Sequence, residues 1–282
     1  MKNNLKTAAL LAGLGALCMA IGSIWGRGGL TMGLVIGLVM TAGSYWFSDK
    51  LAIAAARAQP VAEGEMPQYV AIVSDLAARE QIPMPKLFVS PNPQPNAFAT
   101  GRNPANAAVC INTGILDYLD WDELRGVLAH EISHVKNRDI LTSSVAAGVA
   151  MGIMFSARMA MWGAMFGGGG GRDNEGGSNP LAAILMVVLA PIAAMVLQMA
   201  LSRSREYEAD ASAARLLGTG EPLARALEKL EIGAKRIPVD VNPAQASAYI
   251  VNPLRGDSVR SLFTTHPSTA DRIARLRSGE WR

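Results

Sequence analysis

Two of the chain's three histidines fall in His130-Glu131-Ile132-Ser133-His134, an H-E-x-x-H sequence. Residues four apart on a helix stand one above the other on the same face, so both imidazoles can converge on one metal ion. Glu131 lies beside them, placed to reach a water at that metal. Zinc in hydrolases takes three protein ligands and leaves a fourth position to water. A third ligand must therefore come from elsewhere in the chain. The remaining histidine, His266, is one candidate, and the acidic run Glu206-Tyr207-Glu208-Ala209-Asp210 is another. Within that run Glu206 and Asp210 share a helical face, while Glu208 points ~200° away from Glu206.

The elements that must hold these residues can be read from caps and periodicity. Asp120 with Glu123 three residues on makes a capping box for a helix that carries Leu124, Val127 and Leu128 into the H-E-x-x-H. Lys136, Arg138 and Asp139 separate the motif from an apolar run at 140–166, and a second run at 181–201 leads directly into Arg203, Arg205 and Glu206. The H-E-x-x-H helix and the Glu206 helix are therefore both expected to extend apolar runs, with His134 and Glu206 each ~10 Å or less from its run. Upstream, Pro67 opens a helix with Tyr69, Val70, Val73, Leu76 and Ala77 on one face, and short strands are expected at 86–90, 96–100 and 107–112. The 96–100 strand could offer an edge on which a peptide pairs, with Asn96 and Phe98 as substrate contacts. Gly218 stops the Glu206 helix, another helix starts near Pro222, and Ser268 with Asp271 caps a last one ending at Arg277.

Half of the 282 residues are hydrophobic and only 17% are charged, against roughly 25% in soluble domains. The deficit is concentrated in four apolar runs, at 7–25, 30–47, 140–166 and 181–201. Each is long enough to span a bilayer. A basic start before the first run is also the signature of a secretory signal peptide, but the second run follows after only Gly26-Arg27-Gly28-Gly29, which reads as the tight turn of a membrane hairpin. For the third and fourth runs the alternative is a buried hairpin in a soluble protein, because Arg158 interrupts the third. Between these two, residues 167–180 form a glycine-rich loop. If all four runs cross, most basic residues flank one side, and the positive-inside rule puts both termini and the soluble parts in the cytoplasm. The net charge of +3 comes without a basic run, which excludes a nucleic-acid patch. Cys18 and Cys110 belong to no C-x-x-C pair, which excludes a thiolate zinc site and a disulfide framework.

With Ser204-Arg205-Glu206-Tyr207-Glu208-Ala209-Asp210 following the H-E-x-x-H, the chain resembles the HtpX family of membrane zinc metalloproteases, relatives of the CAAX prenyl proteases. The similarity takes in Pro95-Asn96-Ala97-Phe98-Ala99-Thr100-Gly101, Thr265-His266-Pro267-Ser268 and the order of the four runs. It implies one zinc per chain held by His130, His134 and Glu206, with Asp210 supporting a ligand, Glu131 as general base, and His266 donating to the developing oxyanion. Arg272 is expected to orient the substrate backbone. The fold expected is α+β, mainly α: a membrane hairpin at 1–49, a zincin-like cytoplasmic domain assembled from 50–139 and 202–282, and a second hydrophobic hairpin at 140–201. The resemblance further implies a protease of the bacterial inner membrane, acting in stress response and quality control on misfolded or unassembled membrane proteins. Two other readings are a CAAX-type protease cutting lipidated tails and an inactive membrane scaffold with structural zinc. Structural zinc sites are normally closed by four protein ligands, often including Cys.

Overall fold

The computed structural model describes residues 26–143, 203–236, 249–251 and 267–282, together with positions 8, 12, 13, 16 and 19. The elements in order are α1 (Gly26–Trp46), α2 (Ser48–Ala55), β1 (Gln59–Pro60), α3 (Pro67–Arg79), β2 (Lys86–Ser90), β3 (Ala97–Gly101), a 3-10 turn (Pro104–Asn106), β4 (Ala107–Asn112), α4 (Ile115–Tyr118), α5 (Trp121–Lys136), α6 (Arg203–Leu217), α7 (Glu221–Arg236) and α8 (Thr269–Ser278). The expected α+β, mainly helical architecture is observed. Most of the first apolar run, nearly all of the third and fourth, and the glycine-rich loop lie outside the described residues. Gly26-Arg27-Gly28-Gly29 is not the expected turn: it belongs to α1, where Thr31 Oγ1 donates to Arg27 O one helical turn back. Glycine lowers helix propensity by only about 1 kcal/mol per residue, which a helix of 21 residues can absorb. Leu30, Met32, Val35, Leu38 and Val39 of α1 are exposed. Among the described residues, no helix is long and apolar enough to cross a membrane.

Four strands form one sheet in the order β1-β2-β4-β3. β2 and β4 run parallel, and β1 and β3 pair antiparallel on either side, which makes β3 an edge. The two-residue β1 is not among the strands expected from the sequence. One face of the sheet, with Ala97, Val109 and Ile111, packs on Tyr69, Val73 and Leu76 of α3 and on α5. The other face, with Phe98 and Cys110, is covered by Ala52 and Ile53 of α2 and by Ala58. Burial pushes the Cys110 thiol up to about 12, so it is an inert packing group.

α5 is the central helix. Asp120 accepts from the Glu123 N–H while the Glu123 side chain accepts from the Asp120 N–H, closing the expected capping box. Leu124, Val127, Leu128, Ala129, Ile132 and Val135 are all buried, because α3, β3, α6 and α7 surround the helix. The approach of α7 is closest at Gly126, where an added Cβ would lie 2.5 Å from the Leu223 backbone nitrogen. Gly126→Ala is therefore expected to force α5 and α7 apart and to lower unfolding free energy by about 1–3 kcal/mol, read from chemical denaturation. An unchanged midpoint would show that the two helices are not held as described.

Candidate metal centre

α5 presents His130, Glu131 and His134 toward α6, which brings Glu206 and Asp210 into the same buried space. His130 Nε2 and His134 Nε2 face each other at 3.1 Å. One oxygen of Glu206 lies 3.7 Å from His130 Nε2 and the other 3.6 Å from His134 Nε2. Ligand atoms at the corners of a zinc tetrahedron with 2.0–2.1 Å bonds stand about 3.3 Å apart, so this spacing fits a single ion. These three are the group able to hold a metal ion among the described residues. Of the two candidates for a third ligand, Glu206 stands beside both histidines, while His266 lies outside the described residues.

The ring orientation has its own support. Nδ1 of His130 lies 2.9 Å from Asp210 Oδ1, so the carboxylate favours a proton on Nδ1 and leaves the Nε2 lone pair toward Glu206. Asp210 is held in turn by two charge-assisted hydrogen bonds, from Arg272 Nε at 2.8 Å and Arg272 Nη2 at 2.7 Å. Burial alone would raise the Asp210 carboxyl, but Arg272 outweighs it and takes it down to about 2. Burial lowers His130, yet the Asp210 and Glu206 carboxylates facing it win and push it up to about 9. The Glu131 carboxyl is raised by burial, against the pull of the two histidines. Its Oε2 accepts from the Ala99 N–H of β3 at 2.8 Å, which turns the edge strand toward the site.

Three expected substrate contacts find other roles. Arg272 is 1% exposed, and its Nη1 donates to Ile250 O at 2.8 Å, so each of its three guanidinium nitrogens has an acceptor inside the protein. Asn96 is 2% exposed, and its Oδ1 accepts from Ile250 N. Phe98, 8% exposed, packs on the sheet face opposite α5 because side chains alternate along a strand. The site also holds features the sequence reading did not pick out. These are the Ala99 N–H, and Asp139 with Arg205: Asp139 Oδ2 lies 3.4 Å from His134 Nδ1. The only sequence signal for Asp139 was a charge left against the start of an apolar run.

The model of peptidase family M48 matches residues 65–280. The chain belongs to peptidase family M48. It is 50% identical over 281 residues to a Protease HtpX homolog of Syntrophobacter fumaroxidans, which covers 99% of this chain and 100% of that one. A Protease HtpX homolog of Nostoc punctiforme is 48% identical over 279 residues, 98% of this chain and 96% of its own. The crystal structure of S. mikatae Ste24p shares the fold at a TM-score of 0.50 and 18% identity, over 98% of this chain and 65% of Ste24p. As an M48 member the chain is a metallopeptidase, and the cluster around His130 is its candidate metal centre.

Two outcomes follow from the charges around His130. In the metal-free chain its pKa of about 9 stands above the usual 6.5, so its contribution to stability is complete below pH 6.5 and disappears as pH rises through 9. A metal must displace that proton, so apparent metal affinity is expected to climb about tenfold per pH unit up to 9 and then flatten. Competition titrations would show this, and a flat profile from 6.5 to 9 would contradict it. Arg272→Met would leave Asp210 buried without its partner, at a cost of about 3–5 kcal/mol in denaturation. A stable variant whose only change is a higher KM would restore Arg272 as a substrate contact.

Proposed function

We propose that the chain is a zinc metalloendopeptidase that works at the cytoplasmic surface of a bacterial inner membrane and cleaves misfolded or unassembled membrane proteins in quality control. The observation that carries the peptidase chemistry is the placement of Glu131, beside the His130–His134–Glu206 cluster and in contact with the edge strand β3. His130, His134 and Glu206 would hold one zinc ion, which when bound lowers the pKa of a water to about 7 and polarises a carbonyl. Glu131 would act as the general base, accepting a proton on its carboxylate and returning it to the leaving amine. Its raised pKa suits a carboxyl that must hold a proton during the reaction. Among the described residues β3 is an edge strand of the sheet, and its backbone rather than the Asn96 or Phe98 side chains would pair with an extended peptide. His266 retains its proposed part as oxyanion donor. A scaffold with structural zinc is disfavoured, because no cysteine is among these donors and a carboxylate suited to a general base stands beside them.

The membrane reading rests on the apolar runs, on the near full-length similarity to HtpX homologs, and on the first described helix. α1 exposes leucine, valine and methionine side chains and ends at Trp46, which with the following Phe47 is about half exposed. Lys50 lies over the Phe47 ring and Arg102 over the Trp46 ring. Aromatic rings with cations beside them are the residues found at the headgroup level of a bilayer. The four hydrophobic segments would then tether the 50–139 and 202–282 halves of the catalytic domain to the lipid surface.

Glu131→Gln is expected to retain one zinc per chain and to lose about 10²–10⁴-fold in the rate of cleaving a model membrane substrate. A variant that cleaves at the wild-type rate would remove Glu131 from the chemistry. A wild-type chain that binds zinc without cleaving would favour the scaffold.

A further inference from the structure

His130 and His134 are both faced by a carboxylate on Nδ1, and each carboxylate has an arginine behind it. For His130 the pair is Asp210 and Arg272. For His134 it is Asp139, whose Oδ2 lies 3.4 Å from Nδ1, with Arg205 Nη1 3.8 Å from the other oxygen. Neither Asp139 nor Arg205 is among the residues assigned a role above. Asp139 does not reach His134 by helical spacing: five positions on, an uninterrupted helix would turn it about 140° away. It reaches because α5 ends at Lys136. Asn137 caps the helix and Arg138 takes a left-handed conformation, φ 58°, before helix resumes at residues 139–143. The expected continuous helix from the metal ligands into the third apolar run is therefore broken here. A non-glycine residue in that conformation costs of order 1 kcal/mol or more and persists only where its surroundings demand it. Asp139 is 5% exposed, so the break delivers a buried carboxylate to the second histidine.

Arg205 completes the arrangement. It precedes the ligand Glu206, and among the described residues none of its three buried guanidinium nitrogens has a hydrogen-bond partner. Its nearest described carboxylate contact is Asp139. A buried cation so poorly hydrogen-bonded is retained only if its charge is used.

We propose that Asp139 is a positioning residue that fixes the ring of His134 for metal binding, and that Arg205 holds Asp139 in place, as Arg272 holds Asp210 for His130. The inference rests on the zinc reading above. A carboxylate on the free ring nitrogen sets the tautomer and raises the basicity of the other nitrogen, and loss of such a support typically costs 10–100-fold in metal affinity. The test is zinc affinity of the purified full-length chain, measured in competition with a chromophoric chelator. The visible spectrum of the cobalt(II)-loaded chain and the melting temperature of the metal-free chain are read alongside. Asp139→Ala is expected to weaken zinc about 10–100-fold and to alter the cobalt spectrum. Asp139→Asn, which keeps an acceptor but not the charge, should show an intermediate loss. Arg205→Met should weaken zinc several-fold alone and add nothing in the Asp139→Ala background. Wild-type zinc affinity and an unchanged cobalt spectrum in Asp139→Ala would overturn the inference even if the metal-free chain melts earlier, since Asp139 would then be only a helix cap. If Asp139→Ala does not fold, the same result in Asp139→Asn decides. Failure of the wild-type chain to bind zinc would instead overturn the zinc reading itself, and this inference with it.

Discussion

The ion pair between Asp210 and Arg272 is the constraint on which the rest of the site depends. Both side chains are buried, and a buried charge is tolerated only when it is paired and hydrogen-bonded. Meeting that condition requires α8, near the end of the described chain, to dock against α6, and it requires α6 to face α5 so that Asp210 can reach His130. The same arginine bonds Ile250 O, and Ile250 N bonds Asn96 at the start of β3. The contacts therefore run from His130 through Asp210, Arg272, Ile250 and Asn96 to the strand whose Ala99 N–H meets Glu131. The candidate metal ligands and the β3 edge strand are two ends of one polar circuit.

Around that circuit the packing is apolar. α5 is buried along most of its length, against the sheet and α3 on one side and α6 and α7 on the others. Dry surroundings strengthen every electrostatic contact in the site, and they are also what raises the Glu131 carboxyl. The helix that supplies the chemistry is thus the core of the domain. Its ends are tied by polar devices: the Asp120–Glu123 box at one end, with Lys229 of α7 on Glu123, and the left-handed Arg138 turn at the other.

Much of this was legible in the sequence wherever the signal was local. The H-E-x-x-H spacing, the capping box, the apolar face of Tyr69, Val73, Leu76 and Ala77, and the Ser268 cap are all set by neighbours within a few residues, and each is found in place. β2 and β4 occupy the expected residues, and β3 is shifted by one. What was not legible is where a residue's surroundings are fixed by distant partners. Arg272 read as a substrate contact because nothing near it in sequence shows that Asp210, 62 positions earlier, claims its guanidinium. Asn96 is claimed by Ile250 in the same way. Phe98 faces away because the strand's register, shifted with respect to expectation or not, sends alternate side chains to α2. Asp139 was overlooked because an unbroken helix would have pointed it elsewhere, and no glycine or proline announces the turn at Asn137-Arg138.

The ligand set is the claim from which the rest follows, and X-ray absorption at the zinc edge of the metal-loaded full-length chain tests it most directly. Two imidazoles, from His130 and His134, are expected in a shell of nitrogen and oxygen atoms at about 2.0–2.1 Å, with Glu206 and water supplying the oxygens. Scattering from a third imidazole would put His266 in the place of Glu206. A sulfur shell at about 2.3 Å would contradict the site altogether.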